Sequence, residues 1–187
     1  MIKRFAIATL FVISCFPPML SPSLILAQPT RTIVNSKSQK LTGVEKAQLQ
    51  VLIKSFRALK SQLTVGINYR DYSAELRKLN IDLDIASDSK PISGTLAYSN
   101  LKNAFEHYLV GQKFWQELNI TPTSKRGFVF AETDYIQALV HNYGLEESTG
   151  LGYKHVYGPE VLSIIWGEAY KSTLKAKDWI ESQKSMV

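Results

Sequence analysis

Four stretches of the chain place apolar residues at three- and four-residue steps, the spacing that lines up one face of an α-helix. The first follows Thr42 and Glu45, a pair three apart that forms a capping-box pattern, and carries Leu49, Leu52, Phe56, Leu59 and Leu63 on one side. Lys54, Arg57 and Ser61 fall on the opposite side. Gly66 offers a break and Asn68 a new cap, after which Tyr69, Tyr72, Leu76, Leu79, Leu83 and Ala86 continue the period. So short a connection predicts an antiparallel helical hairpin. Tyr69 and Tyr72 share a face with Leu76 and Leu79, which assigns them to the core rather than to recognition.

"SDSKPISGT" (87–95) is rich in turn formers. Beyond it Ala97, Leu101, Ala104, Tyr108, Gly111, Trp115 and Leu118 form the third seam, with Phe105 and Leu109 widening the apolar stripe. Ala104 and Gly111 are small enough on that seam to let a neighbouring helix approach, and Trp115 is assigned to the interior. "NITPTSKRG" (119–127) ends the period. "FVF" (128–130) reads as buried chain leading into a short helix through Tyr135, Ile136, Leu139, Val140 and Tyr143, capped at its start by Asp134 and stopped at Gly144. An irregular loop, 145–158, precedes Pro159, which suits the first position of a helix. The last seam is Leu162, Ile165, Ala169, Thr173, Ala176 and Ile180, with Trp166 and Trp179 beside it. With almost no strand signal, the expected fold class is all-α. The expected architecture is an antiparallel four-helix bundle with one additional short helix in the long connection before the last helix.

The N-terminus changes the setting. Lys3 and Arg4 precede an uncharged run from Phe5 to Phe16 that Pro17 and Pro18 interrupt, the pattern of an export signal peptide. Cleavage after Ala27 or after Ser23 fits the small-residue rule to different degrees. Lipidation of Cys15 within "VISC" (12–15) and retention as an anchor are the alternatives. A spanning helix needs about 20 apolar residues, and the prolines cut this run short. The expected organisation is therefore a leader over 1–27, a polar tether over 28–41 and one helical domain over 42–187. The expected location is exported, periplasmic or extracellular. Cys15 is the only cysteine, so a chain cut beyond it has no disulfide and depends on packing.

The formal net charge is +6, concentrated near the start of the domain. Between 28 and 60 stand Arg31, Lys37, Lys40, Lys46, Lys54, Arg57 and Lys60 against Glu45 alone. Lys37, Lys40, Lys46, Lys54, Arg57 and Lys60 are candidate contacts to an anionic envelope surface or a protein partner. Nucleic acid is a poor fit, because the charge is modest and no binding motif is present.

Catalytic chemistry finds little support. His107, His141 and His155 are the only histidines, no Glu-x-x-His occurs for a metal-binding bundle, and no Gly-x-Ser-x-Gly occurs for a hydrolase. No cofactor and no metal are expected. "GLGYKHVYG" (150–158) has two of the three glycines of a dinucleotide fingerprint but no strand–helix context. One constellation remains: Glu146, Glu147, Tyr153, His155, Tyr157 and Glu160, gathered in a glycine-punctuated loop where aromatics and carboxylates suit a small ligand, sugar or peptide. The expected function is a non-enzymatic exported protein that binds or scaffolds something in the envelope. The alternatives are a ligand binder or enzyme using the 143–160 loop, with His155 as its titrating group, and a self-associating structural protein.

Overall fold

The computed structural model describes residues 41–120, 127–150 and 152–183. The leader with Cys15, tether residues 28–40 and with them the basic Lys37 and Lys40 lie outside them, whereas Leu41, expected as the end of the tether, is buried in the core. Within the described residues the chain is mostly helical, in the order α1 (Gly43–Val65), α2 (Tyr69–Ser87), α3 (Lys90–Ser93), α4 (Leu96–Ile120), β1 (Phe128–Phe130), α5 (Asp134–Tyr143), β2 (Ser148–Gly150), β3 (Tyr153–Tyr157) and α6 (Gly158–Ser182). None of the described helices is long and apolar enough to cross a membrane.

Helices α1, α2, α4 and α5 start where a side chain satisfies a free amide, whereas α3 and α6 start without a side-chain cap and carry a proline in the first turn. The Glu45 amide donates to Thr42 Oγ1 at 3.3 Å while Glu45 Oε2 accepts from the Thr42 amide at 2.7 Å, a complete capping box. Asn68 accepts from the Asp71 amide at 2.9 Å. Thr95 accepts from the Tyr98 amide at 3.0 Å and starts α4. At α5 the cap is Thr133, which accepts from the Ile136 amide; Asp134, the expected cap, instead follows it in the first turn. There its charge still faces the positive end of the helix dipole. Gly144 ends α5 with φ at 59°, a left-handed conformation that costs glycine nothing. Thr42→Ala is expected to lower stability by about 1 kcal/mol in chemical denaturation, the usual loss for an N-cap.

Two buried clusters hold these elements. The larger joins Leu49, Leu52, Phe56 and Leu59 of α1, Tyr72, Leu76, Leu79 and Leu83 of α2, Ala97, Leu101, Ala104 and Tyr108 of α4, and Ala169, Ala176 and Ile180 of α6. The smaller gathers Phe114 of α4, Val129 of β1, Ile136 and Leu139 of α5, Val156 of β3 and Val161, Leu162 and Ile165 of α6. Trp115 and Trp166 border both. Leu109, expected to widen the buried stripe, is 41% exposed, and Phe114 supplies the buried ring in that region.

Inside the larger cluster sits a polar knot. The Tyr72 hydroxyl donates to the Tyr108 carbonyl at 2.7 Å and accepts from Trp166 Nε1 at 3.1 Å. The Tyr108 hydroxyl is buried without a hydrogen-bond partner among the described residues. Desolvating a hydroxyl without a partner costs about 1–3 kcal/mol. Tyr108→Phe is therefore expected to leave stability unchanged or raise it by about 1 kcal/mol, read from the midpoint of urea unfolding.

The structure corrects the expectation for 128–158. Residues 128–130 are a strand, not buried chain: Val129 is buried, but Phe128 and Phe130 point outward. The "irregular loop" contains a second and a third strand. Together they form an antiparallel sheet in the order β1-β3-β2. Its registers pair Phe128 with Tyr157, Val129 with Val156 and Phe130 with His155, then Ser148 with His155 and Gly150 with Tyr153. The Gly158 amide donates to the Gly127 carbonyl and the Ala131 amide to the Lys154 carbonyl, extending the β1–β3 ladder at both ends.

Candidate functional site: the outer face of the sheet

Side chains alternate across a strand, so a sheet packed on one face has a second face free. Here the paired Val129 and Val156 turn inward and join Ile136, Leu139 and Leu162 in the smaller core. The inner side is tied further by polar groups. Glu147 accepts from Lys154 Nζ at 2.8 Å and from Gln137 Nε2 at 3.1 Å, and Gln137 also donates to the Ala131 carbonyl. The lysine contact holds the Glu147 carboxyl below its ordinary range. Glu147 is thus a structural residue linking α5 to β3.

On the outer face the register brings five rings together. Phe128 meets His155 edge-on at 4.9 Å between centroids and Tyr157 at 5.2 Å, while Phe130 meets Tyr153 edge-on at 5.5 Å. Phe128 and Phe130 are each 38% exposed, Tyr157 45% and Tyr153 51%. His155, half-buried between them, is the middle of the strip. Other apolar side chains are exposed singly, such as Ile81 and Ile120, whereas these rings touch one another and form a contiguous patch, the feature that marks contact surfaces.

Carboxylates stand just beyond the strand ends. Glu132 stands in the turn after β1 and lines a groove with Phe130, and Glu146 stands two residues before Ser148, the first residue of β2. Glu160 follows in the first turn of α6. All three are exposed, and none has an ion-pair partner among the described residues. An open groove of about 410 Å³ runs beside β1, lined by Phe130, Glu132, Lys113 and Tyr135, with the Lys113 ammonium 4.2 Å from the Tyr135 ring centre.

Of the sequence candidates, the sheet brings Tyr153, His155 and Tyr157 onto one surface and turns Glu147 to the other side, while Glu146 and Glu160 are exposed just outside β2 and β3. Phe128 and Phe130 were missed by sequence reasoning. Their signal was the alternation Phe-x-Phe and Tyr-x-His-x-Tyr between Gly127, Gly152 and Gly158, a period of two in the aromatics. The basic candidates do not converge in this way. Lys54 and Arg57 are exposed on α1, whereas Lys46 and Lys60 are half-buried at its flanks. Comparison with protein families, characterised proteins and solved structures finds no match.

The other histidines sit elsewhere. His141 is exposed on α5. His107 of α4 is half-buried, with Nδ1 2.7 Å from the Tyr143 hydroxyl and Nε2 3.4 Å from Asn103 Nδ2, which also donates to Ser172 Oγ at 2.9 Å. Both ring nitrogens of His107 thus have a polar neighbour, Tyr143 on α5 and Asn103 on α4 itself. This cluster pins α5 to α4 and α6. Burial is the main cause that lowers the His107 pKa below its ordinary 6.5; Glu168 and Glu106 oppose the shift more weakly. Burial, followed by Glu168, also pushes the Tyr143 hydroxyl up to about 12.

The fold therefore holds this imidazole neutral more strongly than the unfolded chain does. Its stabilisation is complete above about pH 6.5 and declines as the pH falls through that value, where the unfolded chain binds the proton first. Unfolding free energy is expected to drop between about pH 7 and pH 5, and His107→Gln is expected to flatten that part of the profile. Among the described residues no group of three or more His, Cys, Asp or Glu could hold a metal ion.

Proposed function

We propose that the chain is an exported, non-enzymatic binding or scaffolding protein of the cell envelope, and that the outer face of its small sheet is the contact surface. In this reading the four long helices α1, α2, α4 and α6 form an antiparallel bundle that serves as a rigid frame. The exposed aromatic strip carries the proposal: Phe128, Phe130, Tyr153 and Tyr157 lie in the open around His155 although the inner face of the same sheet is well packed. Solvated rings on a strand pair cost solubility, and aromatic anchors dominate binding energy where they are covered by a partner. Export is supported by the basic start, the apolar run and the small residues near Ala27.

Two measurements test the reading. Intact mass of the native protein and fractionation of the cell report whether residues 1–27 are removed and where the product resides; an uncut chain in the cytoplasm contradicts export. Co-sedimentation of the full chain with envelope fragments from the producing cell tests the surface. Phe128→Ser combined with Tyr153→Ser and Tyr157→Ser is expected to abolish sedimentation while the far-ultraviolet circular dichroism stays helical. Undiminished sedimentation of that variant contradicts the proposed surface.

A further inference from the structure

Helix α1 presents an outer face that complements the sheet. On the side away from Leu49, Phe56 and Leu63 stand Ala47, Val51, Lys54, Ala58, Ser61 and Val65, spaced at three and four residues. Val51 is 61% exposed in the middle of this face, and Val65, at the end of the helix, is 89% exposed. Ala47 and Ala58 are small residues on either side of Val51 and Lys54, so that another surface can approach the helix closely there. Lys54 and Arg57 are exposed and have no ion-pair partner among the described residues. The one acid of the helix, Glu45, is engaged with Thr42 at its cap. The sheet offers the reverse: aromatic area with the exposed Glu132, Glu146 and Glu160 within three residues of the ends of β1, β2 and β3, and its one lysine bound to Glu147.

We propose that the aromatic face of the sheet is occupied by the outer face of α1 from a second copy of this chain. This rests on the reading of the sheet face as the contact surface and names its occupant. A sheet with one open apolar face is most often completed by a helix laid across it. Three strands about 4.8 Å apart give a face roughly 14 Å wide, and the five residues of β3 at about 3.3 Å each make it roughly 17 Å long at its middle, shorter along the three-residue β1 and β2. That length matches about eleven helical residues at 1.5 Å rise, the stretch from Ala47 to Ala58. In this register Val51 and the two alanines cover the rings, and Lys54 and Arg57 reach toward the carboxylates just outside the strands, the guanidinium also able to stack on a tyrosine face. The two surfaces belong to different elements, so the contact either occurs twice about a two-fold axis or runs head-to-tail into a ring or an open row. The footprint is well below the roughly 800 Å² per partner of a stable interface, so each contact is weak and reversible.

The test is sedimentation velocity and light scattering on the full chain, from about 10 µM to about 1 mM, the range in which a sub-standard interface forms. The average mass is expected to rise with concentration. The rise should be suppressed at about 0.5 M salt, where screening shortens the reach of charges to a few ångströms. Lys54→Glu with Arg57→Glu, and separately Glu132→Lys with Glu146→Lys, are each expected to weaken association at least tenfold, and an equimolar mixture of the two variants to restore it. Failure to restore, or association indifferent to either reversal, overturns the proposal. A monomer at about 1 mM that still sediments with envelope fragments through its aromatic strip overturns this occupant and leaves the surface standing. A monomer that does not sediment removes both.

Discussion

Replacing Tyr72 by alanine is expected to lower the free energy of unfolding by about 3–5 kcal/mol, the range for deleting a buried aromatic side chain. The residue is fully buried and lies where α2, α4 and α6 meet. Its ring packs against Trp115 at 5.6 Å and Trp166 at 5.8 Å between centroids, so truncation opens a cavity lined by rigid indoles that cannot collapse into it. The hydroxyl adds a separate loss: without it Trp166 Nε1 loses its acceptor and the Tyr108 carbonyl loses a donor. Tyr72→Phe isolates that second part, expected at about 1–3 kcal/mol. The contrast with Tyr108→Phe is informative, since an equivalent hydroxyl is removed thirty-six residues away with no loss expected. Guanidinium unfolding followed by tryptophan fluorescence gives all three values, because Trp115 and Trp166 report on this knot directly.

The second large effect is expected at Gly111. A Cβ built there would lie 2.7 Å from Trp166 Nε1, 3.2 Å from its Cδ1 and 3.4 Å from the Tyr72 hydroxyl. The first distance is a clash with a ring held between two other aromatics, not with the end of a mobile side chain. Helix propensity alone would favour alanine over glycine by about 1 kcal/mol, so Gly111→Ala sets that gain against the clash. Gly111→Val adds bulk with no way out, and a loss at or above the top of the usual range of about 1–3 kcal/mol for overpacking is expected. The mechanism has its own check: with Trp166→Phe in place the indole nitrogen is gone, and Gly111→Ala is expected to become neutral or stabilising. An equal loss in both backgrounds would assign the glycine some other role.

The four long helices were legible because each repeats its seam many times; Leu49 to Leu63 alone fixes the orientation of α1 several times over. Caps were legible for the same local reason, although Thr133 and Asp134, both good caps and adjacent, could not be separated without the backbone. The sheet was not legible by that route. Phe128–Phe130 and Ser148–Gly150 are three residues long, too short to display a period, and β2 contains no aliphatic or aromatic residue. Their pairing with Tyr153–Tyr157 depends on contacts across β1 to β3 that no local window contains. The aromatic candidates were found by composition, but without the register they looked like members of a loop. With the register they become one strip with Phe128 and Phe130, and Glu147 leaves the group. The His107 cluster was illegible for the same reason, since Asn103, Tyr143 and Ser172 come from three helices.

Hydroxyl-radical footprinting of the full chain, free and bound to envelope fragments, tests the contact surface most directly. Phe128, Phe130, Tyr153 and Tyr157 are expected to be modified in the free chain at low concentration and protected in the bound one, with the buried Tyr72 and Tyr108 silent in both. Bound chain in which those four rings react as freely as before would contradict the account.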